Sequence, residues 1–364
     1  MQCTNLGGME QVSYQVMNAL SRESNQSFRI TSPRPFGAGE EIVKIFDPDA
    51  RGFAYRGRFG WRTYPEFSRH TKNISNECSH VWVTGTCAAS LMAVKQLKLP
   101  KVLSHHYHHF EGRWSWIKWR SFYEMMTHQV NAITYPTRFT RDEALKIAPW
   151  LKDKAVVVPN SFKVNFVDET SRQAAKKKAR AALDLPINAY IVGNAGWLIQ
   201  RKRFDIFLRT AAAIKRRIPE SYFIICGGGE LEVEMKKLAH SLGISECVRF
   251  EGWVKDLEPY YRAWDVILFN SDFDALGCTP LEAASYGCPV VASVKYGGLS
   301  EFIDSGRNGY LFEDHDIKLL ASAVCELAED DSLACSFRDE AADTLRREYS
   351  ENKGIQFYQD FFSC

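Results

Sequence analysis

The sequence predicts two α/β domains in tandem, each built on a doubly wound parallel sheet. The chain has 364 residues, which at about 150 residues per domain corresponds to two domains. Hydrophobic residues make up 45% and charged residues 25% of the chain, an ordinary composition that is sufficient for two cores. Short runs rich in Val and Ile alternate with helical patterns throughout, as in parallel sheets that are covered by helices on both faces.

The strand candidates are continuous apolar runs, and amphipathic helices lie between them. The runs fall at residues 28–31, 80–83, 101–104, 132–135, 155–158, 189–192, 223–226, 248–250, 266–269, 289–292 and 310–312. Apolar positions with a period of 3.6, such as Phe204, Phe207, Leu208 and Ala211, predict the helices. We expect an N-terminal domain over residues 1–165, a second domain over 166–345, and a last helix within 346–364 that packs back across the domain junction.

Bulk properties exclude several classes of protein. Lys and Arg number 46 and Asp and Glu 44, a net charge of +2, so nothing in the overall charge suggests a nucleic-acid partner. No apolar run approaches the roughly 18 residues that a membrane span needs. Residues 1–10 lack the pattern of a signal peptide, and the ten cysteines form no CxxC pair. We therefore expect a soluble cytoplasmic protein with reduced cysteines.

Three consecutive cations follow a strand and a turn of small residues. Gly193–Gly196 comes directly after the strand at 189–192, and Arg201, Lys202 and Arg203 stand at the start of the next helix. Small residues let the backbone approach a ligand, and a helix N-terminus offers N–H groups to an anion. Cations at a helix N-terminus are unfavourable by themselves. The pattern indicates a bound anion such as phosphate, and a solvated basic turn is the alternative.

Neither a dinucleotide cofactor nor a metal ion is expected. Gly37-Ala38-Gly39 has the first part of a dinucleotide fingerprint, but Ile42 stands where that fingerprint needs Gly or Ala. Residues 105–109 contain four histidines and a tyrosine, at a spacing that suits a metal site poorly because adjacent side chains diverge.

Two carboxylates lie eight residues apart in the second half of the chain. Asp274 and Glu282 are separated by the Gly-containing turn 275–279, and Pro280 is suited to the first turn of a helix. We expect Asp274 in the loop after a strand and Glu282 in the first turn of the next helix, so that both carboxylates face one crevice. A glycosidase could use such a pair. The cations of the same domain instead favour carboxylates that bind sugar and ribose hydroxyls beside a phosphate.

The segment from Phe269 to Glu301 resembles the retaining glycosyltransferases of family 4, which have the GT-B fold and a Glu-x7-Glu motif. The matching residues here are Asp274 with Glu282, Leu281-Glu282-Ala283, Gly287-x-Pro289-Val290-Val291-Ala292, Gly297-Gly298 and Glu301. Further likenesses extend over nearly the whole chain, at Gly7-Gly8-Met9-Glu10, Val158-Pro159-Asn160, Gly196 to Lys202, Phe250-Glu251-Gly252-Trp253 and Asn308-Gly309-Tyr310-Leu311. The resemblance implies two Rossmann-like domains with an interdomain cleft, the first binding the acceptor and the second the donor.

The resemblance also implies an activity. A hexose, with mannose and glucose as candidates, would pass from a GDP- or UDP-sugar to a glycan or glycolipid with retention at the anomeric carbon. Neither a metal nor another cofactor is expected, and a lipid-linked acceptor would place the protein at the inner face of a membrane. Two alternatives stay open: a catalytically silent protein that binds sugar nucleotides or glycans, and a GT-B nucleotide-sugar epimerase.

The resemblance implies roles for individual residues. Asp274 would contact donor-sugar hydroxyls and Glu282 the ribose. Lys202, helped by Arg201, would neutralise the leaving diphosphate, because cleavage of the glycosidic bond builds charge on the β-phosphate. His106, after the strand at 101–104, would be the catalytic histidine, with His105 as the alternative. The expected donor-binding positions are Gly8, Gly196, Arg201, Lys202, Trp253, Val254, Asp274, Ala275, Leu276, Gly277, Cys278, Thr279 and Glu282.

Three features depart from the family pattern. Asp274 replaces a glutamate, and Trp197 stands where many relatives have an arginine. The Gly-rich loop begins at residue 7 with no strand before it. We therefore hypothesise that the working protein starts further upstream. Asp272-Phe273-Asp274 also spells the DxD of the GT-A transferases, which we interpret as a coincidence because that fold would not explain the second sheet.

Two segments of the first domain mix cations with aromatic residues. Residues 51–69 show no clear period and are interpreted as a long loop. Cations among aromatic residues could bind nucleic acid, but the context favours an acceptor-binding loop, and an ordinary ordered loop is the other alternative. Residues 113–120 contain three tryptophans among basic residues. They could touch a membrane surface that carries a lipid acceptor, or Trp116 and Trp119, three residues apart, could pack on the core.

Overall fold

The structure, a computed structural model, describes residues 8–24, 26–33, 36, 40–53, 62–85, 87–105, 112–166 and 168–363, apart from the side chains of residues 8–11, 88 and 112–114. The chain divides into two compact units. One comprises Met1–Ser161 with Glu351–Cys364, and the other is Phe162–Ser350. Across the described parts of the chain, no helix has both the length and the apolar character needed to cross a membrane.

The first unit alternates helices with short parallel strands. Its elements up to Ser161 are α1 (Gly8–Ser24), β1 (Thr31–Ser32), α2 (Glu40–Phe46), β2 (Arg51–Gly52), α3 (Tyr64–Ser75), β3 (Val81–Thr84), α4 (Ala88–Lys95), β4 (Lys101–Ser104), α5 (Gly112–Thr127), β5 (Ala132–Tyr135), α6 (Arg138–Ile147) and β6 (Ala155–Val157). Strands β3, β4, β5 and β6 form one parallel sheet in chain order, and β1 pairs with β2 in parallel. Strands β4 and β5 have the bounds that their apolar runs predict.

The second unit contains a six-stranded parallel sheet. Its elements are α7 (Glu169–Ala182), β7 (Tyr190–Ala195), α8 (Phe204–Arg217), β8 (Ser221–Cys226), α9 (Glu232–Ser241), β9 (Val248–Gly252), α10 (Glu258–Ala263), β10 (Val266–Asp274), α11 (Cys278–Ser285), β11 (Val290–Gly297), β12 (Tyr310–Phe312), α12 (Ile317–Glu329) and α13 (Asp331–Glu348). The strand order is β12-β11-β10-β7-β8-β9. The chain therefore adds strands outward from β7 in one direction and then outward from β10 in the other.

Helices cover both faces of this sheet. One apolar cluster joins the strands to helices α7, α10, α11 and α13, and a second joins them to α8, α9 and α12. Gly193 of β7 lies against the buried ring of Trp264, where a Cβ atom would be 1.9 Å from the indole. Two covered faces on a parallel sheet are the doubly wound arrangement that the continuous apolar runs predict.

The last helix, α14 (Glu351–Ser363), belongs to the first unit. The hydroxyl of Tyr358 lies 2.8 Å from Ser104 Oγ and 3.1 Å from Thr134 Oγ1, at the ends of β4 and β5. Arg22 of α1 pairs with Glu351 at 2.7 Å. The chain thus returns to complete the core of the unit in which it began.

The prediction of a loop over residues 51–69 was wrong at its C-terminal end. Helix α3 starts at Tyr64 with Pro65 in its first turn, and Phe67 is buried. Proline is favoured at that position because the first helical N–H groups have no intrahelical acceptor. Residues 54–61 lie outside the described part of the chain.

Candidate functional site

The site is built where the direction of strand addition reverses. Strands β7 and β10 are neighbours in the sheet, and the connections from them run to opposite sides. In open α/β sheets, ligands bind beyond the carboxyl ends of the strands at this point, because the diverging loops leave a crevice there. Strand β7 leads into Gly196, and β10 ends at Asp274.

Two Gly-containing turns lie in backbone contact beside this crevice. The Gly196 N–H donates to the carbonyl of Cys226 at 2.9 Å, and the Leu198 N–H donates to that of Gly228 at 2.9 Å. A Cβ atom on Gly227 would be 1.9 Å from the Gly196 carbonyl oxygen. Glycine at position 227 therefore serves the packing of one turn on the other.

The predicted cations converge on one carboxylate. The ammonium of Lys202 lies 2.8 Å from Asp274 Oδ2, and the guanidinium of Arg201 lies 3.4 Å from the same oxygen. Arg201 also donates to the carbonyl of Phe273 at 2.5 Å. Lys202 and Arg201 come from the 3₁₀ turn Gln200–Lys202 that follows β7. The structure thus brings together three residues that the sequence predicts for the diphosphate and the sugar.

The charges of this cluster keep the Asp274 carboxyl ionised. Burial would raise the pKa of Asp274, but Lys202 and Arg201 outweigh the burial and hold that pKa below its ordinary value. Two cations of the basic turn therefore lie against one ionised carboxylate at the carboxyl end of β10. Cations held at this end of a sheet can also bind an anionic ligand.

Asp274 lies in a strand, so the prediction that it follows one was wrong. Strand β10 continues to Asp274 because β11 pairs with it that far, in the register Asp274 to Gly297. A Cβ atom on Gly297 would be 2.0 Å from the Asp274 carbonyl oxygen, and the Gly298 N–H donates to that oxygen at 3.1 Å. Gly297 and Gly298 therefore hold the backbone of the acidic residue.

Glu282 lies in the second turn of α11, whereas the sequence predicts the first turn. The helix starts two residues before Pro280, because Gly277 forms its N-cap in the left-handed region, at φ 79° and ψ 71°. The hydroxyl of Tyr261 donates to Glu282 Oε2 at 2.6 Å. Burial raises the pKa of Glu282, and the hydrogen bond from Tyr261 offsets part of that rise. No sequence motif marked Tyr261.

The segment Ala275–Thr279 joins the two acidic residues. Leu276 and Gly277 are buried, and the flanking Ala275, Cys278 and Thr279 are half-buried. The segment holds the N-terminus of α11, whose backbone dipoles favour negative charge. The predicted positions from Ala275 to Thr279 therefore run from the end of β10 into the first turn of α11.

Two tryptophans stand on the other side of the Gly-containing turns. The rings of Trp197 and Trp253 are 4.4 Å apart and inclined at 70°, and Trp253 is 42% exposed. Trp197, which stands where many relatives have an arginine, thus packs against the ring of Trp253. Trp253 and the half-buried Val254 follow β9, which is the edge strand beyond β8.

Asp272 is a polar residue beside the site, although the sequence analysis interprets the DxD that contains it as a coincidence. Its Oδ1 atom lies 3.1 Å from Arg203 Nη1 and 3.1 Å from His315 Nε2. Burial would raise the pKa of Asp272, but the hydrogen bonds from His315 and Arg203 outweigh it and lower that pKa. Asp272 and Asp274 therefore bond to different basic side chains, although together they spell DxD.

The candidates of the first unit are only partly described. Gly8 is the first residue of α1, and His106 lies outside the described residues. His105 is 1% exposed, and its Nδ1 lies 3.3 Å from the hydroxyl of Tyr123. His105 is therefore a core residue of its unit. Among the described residues, no group of three or more His, Cys, Asp or Glu side chains is placed to hold a metal ion.

Each half of the chain matches a known protein family. Residues 6–166 match the family model described as Glycosyltransferase Family 4, and residues 175–344 match the one described as Glycosyl transferases group 1. Together these two models span most of the chain, which belongs to the family-4 glycosyltransferases.

Curated relatives and a solved structure support the same assignment. The chain is 34% identical over 171 residues to the lipopolysaccharide core biosynthesis glycosyltransferase LpsE of Rhizobium meliloti, covering 47% of this chain and 49% of that one. It is 32% identical over 214 residues to a D-inositol 3-phosphate glycosyltransferase of Corynebacterium urealyticum, covering 56% and 50%. The matches thus span about half the length of these relatives. HepE of Anabaena, solved in complex with UDP and glucose, superposes with a TM-score of 0.82 at 18% identity over 100% of this chain and 98% of that one. The GT-B fold that the motifs imply is confirmed.

Proposed function

We propose that this chain is a glycosyltransferase that moves a hexose from a nucleoside-diphosphate sugar to a carbohydrate or lipid-linked acceptor, with retention at the anomeric carbon. The donor carries UDP or GDP, and its sugar is glucose or mannose. The observation that carries the proposal is the convergence of Lys202 and Arg201 on Asp274 at the switch point of the sheet. The UDP and glucose bound to HepE make UDP-glucose the first donor to test.

The chemistry of the leaving group supports this proposal. Transfer of the sugar leaves a second negative charge on the β-phosphate, and preorganised cations and backbone dipoles stabilise such charge. Lys202 and Arg201 supply the cations, and the N-terminus of α11 supplies the dipoles. These groups can neutralise the diphosphate without a metal ion, and we propose a metal-independent reaction. In this proposal Glu282, in the second turn of α11, binds the ribose hydroxyls.

Titration calorimetry with UDP, GDP and their glucose and mannose derivatives tests the donor site. We expect one nucleotide to bind, and its affinity to fall at least tenfold in Lys202→Ala. Lys237→Ala is the matched control, since it removes the same charge from an exposed position on α9. If neither UDP nor GDP binds the folded protein, the proposal is wrong.

Product analysis separates transfer from its alternatives. With chelator present and a panel of glycan acceptors, a transferase releases the nucleoside diphosphate and forms an α-linked product from an α-linked donor, which NMR identifies. Binding without release or transfer would indicate a silent sugar-nucleotide-binding protein. A changed sugar on an intact nucleotide, with no acceptor added, would indicate an epimerase.

We also propose that a lipid-linked acceptor is reached by peripheral contact with a membrane at the cytoplasmic face. Helix α5 splits its tryptophans: Trp119 is buried, but Trp116 is 46% exposed, next to Ile117. Arg120 lies over the rings of Trp116 and Trp150, at 5.5 and 4.6 Å. Exposed aromatic rings among cations are typical of surfaces that lie on anionic lipid.

Sedimentation with vesicles tests this surface. We expect the protein to bind phosphatidylglycerol vesicles and to lose several-fold in binding when Trp116 and Ile117 are both changed to Ala. The control is Leu319→Ala, which removes an exposed apolar side chain from α12 of the other unit. Equal binding of all three proteins, or no binding at all, would contradict the membrane contact and leave a water-soluble acceptor.

A further inference from the structure

One carboxylate oxygen collects several donors at the end of β10. Asp272 Oδ1 accepts from Arg203 and from His315, each at 3.1 Å, and the ammonium of Lys295 lies 3.4 Å away. Neither the predicted roles nor the family motif uses Asp272 or His315. Asp272 and Lys295 come from neighbouring strands, β10 and β11, and Arg203 and His315 come from two separate connections, so their meeting needs an explanation.

The hydrogen bonds of His315 determine its tautomer. Its Nδ1 atom lies 2.7 Å from Ser293 Oγ, which accepts in turn from the side-chain amide of Asn270 at 2.8 Å. The neutral tautomer with its proton on Nε2 fits these contacts, because Nε2–H donates to Asp272 and Nδ1 accepts from the Ser293 hydroxyl. The imidazole is almost wholly buried, with 5% of the side chain exposed. A chain of side chains from β10 and β11 therefore holds His315, and His315 holds Asp272.

Asp272 is tied to the basic turn through Arg203. Arg203 links the turn that carries Arg201 and Lys202 to helix α8, and its backbone is left-handed, at φ 45° and ψ 45°. Side chains other than glycine rarely adopt this conformation, so tertiary contacts must hold it. The guanidinium of Arg203 makes paired bonds of 2.9 Å to Asp205 and a third bond to Asp272. The third bond ties the turn to β10, the strand that ends at Asp274.

We infer that Asp272 and His315 are a positioning pair: through Arg203 they orient the turn that presents Lys202 and Arg201 to the donor's diphosphate. This inference rests on the proposed function and deepens it. Asp272 bonds to Arg203, and Arg203 directly follows the turn that carries the two cations, so the pair acts on the diphosphate through the turn. Loss of the pair should weaken binding of the diphosphate and leave binding of the nucleoside unchanged.

Histidine NMR tests the pair without any ligand. Long-range ¹H–¹⁵N correlation of the ¹⁵N-labelled protein at pH 7 should show one imidazole as the Nε2–H tautomer, and its assignment to His315 follows from its absence in His315→Gln. Asp272→Ala should remove the acceptor and mix the two tautomers. A wild-type His315 protonated at Nδ1 instead would overturn the inference.

Binding measurements test the positioning role. For whichever of UDP and GDP the wild type binds, we expect Asp272→Ala and His315→Ala to weaken diphosphate binding about tenfold, as the loss of a charge-assisted hydrogen bond typically does, with the nucleoside's affinity unchanged. His315→Gln keeps a donor near the position of Nε2 and should restore most of the affinity. The matched control is Asp314→Ala, an exposed acidic residue beside His315.

The outcomes separate this inference from the proposed function. If the variants lose affinity equally for the diphosphate and the nucleoside, the pair only stabilises the fold. If their affinity for the diphosphate is unchanged, the turn keeps its conformation without the pair. Either result overturns the positioning role while wild-type donor binding stands. If the wild type binds neither nucleotide, the proposed function fails and the positioning role fails with it, whatever the tautomer of His315.

Discussion

Lys202 Nζ lies 2.8 Å from Asp274 Oδ2, although 72 residues separate them in the chain. Lys202 lies in the turn after β7 and Asp274 ends β10, and these two strands are neighbours at the point where the order of strand addition reverses. The pair therefore joins the two connections that form the crevice. Both side chains are mostly shielded from water, with 12% and 15% exposed. The attraction between the two charges therefore offsets the free energy that each loses by leaving water.

Single and double variants should show this dependence. Lys202→Met leaves the Asp274 carboxylate half-buried with weaker compensation, and we expect a loss of about 2 kcal/mol in the free energy of unfolding. Adding Asp274→Asn should recover part of that loss, because the uncompensated charge is gone. Urea titrations of the wild type, both single variants and the double variant measure the coupling. Additive losses would show that the two side chains do not interact in solution.

Glu282 should oppose folding at neutral pH. Burial raises its pKa in the folded chain, so the folded state binds more protons than the unfolded state between the two pKa values. Stability therefore falls as pH rises through that window, and part or all of the penalty is present at pH 7, which lies above the ordinary pKa. We expect Glu282→Gln to raise the free energy of unfolding by roughly 0.5–1 kcal/mol, as substitutions at functional sites often do, and to weaken donor binding. The gain should shrink as the pH is lowered toward 4.5, the ordinary glutamate pKa, and should be absent below it, which thermal unfolding across pH would measure. Glu234→Gln, at an exposed position of α9, should show neither effect.

Removal of the Tyr261 hydroxyl should act on Glu282 alone. The bond of 2.6 Å favours the ionised carboxylate, so Tyr261→Phe should raise the pKa of Glu282 further and cost about 1 kcal/mol of stability at pH 7. As the pH is lowered, Glu282 should become protonated, and donor binding should decline, at a higher pH in Tyr261→Phe than in the wild type. Calorimetry at several pH values would detect this difference. In the Glu282→Gln background the same substitution should leave the pH dependence of binding unchanged, and a remaining shift would mean that another group titrates.

The Gly-containing turns should tolerate one substitution and not the other. At Gly227 a new Cβ would be 1.9 Å from the backbone oxygen of Gly196, whereas at Gly228 the nearest atom is the Trp253 indole nitrogen at 2.7 Å. Backbone cannot yield without breaking the hydrogen bonds between the turns, but the ring of Trp253 is exposed and can move. We expect Gly227→Ala to cost roughly 3 kcal/mol and Gly228→Ala less than about 1 kcal/mol. Equal melting temperatures for the two variants would contradict this packing.

The strands show where sequence patterns suffice. The runs at 101–104, 132–135 and 310–312 have the bounds of β4, β5 and β12, because interior parallel strands are continuous apolar runs. The last five residues of β10, Asn270–Asp274, carry no such pattern, and their strand conformation comes from pairing with β11. Strands β1 and β2 have two residues each, too few for a periodic signal.

The sequence alone determined the alternation of strands and helices, the family and the residue types of the donor site, since these depend on local patterns and on motifs with fixed spacing. Only the tertiary structure decided which groups are partners. Asp272 meets His315 43 residues away, and Glu282 meets Tyr261 21 residues away. No local pattern carries such pairings, because they depend on the order of strands in the sheet, and that order sets which loops share the crevice.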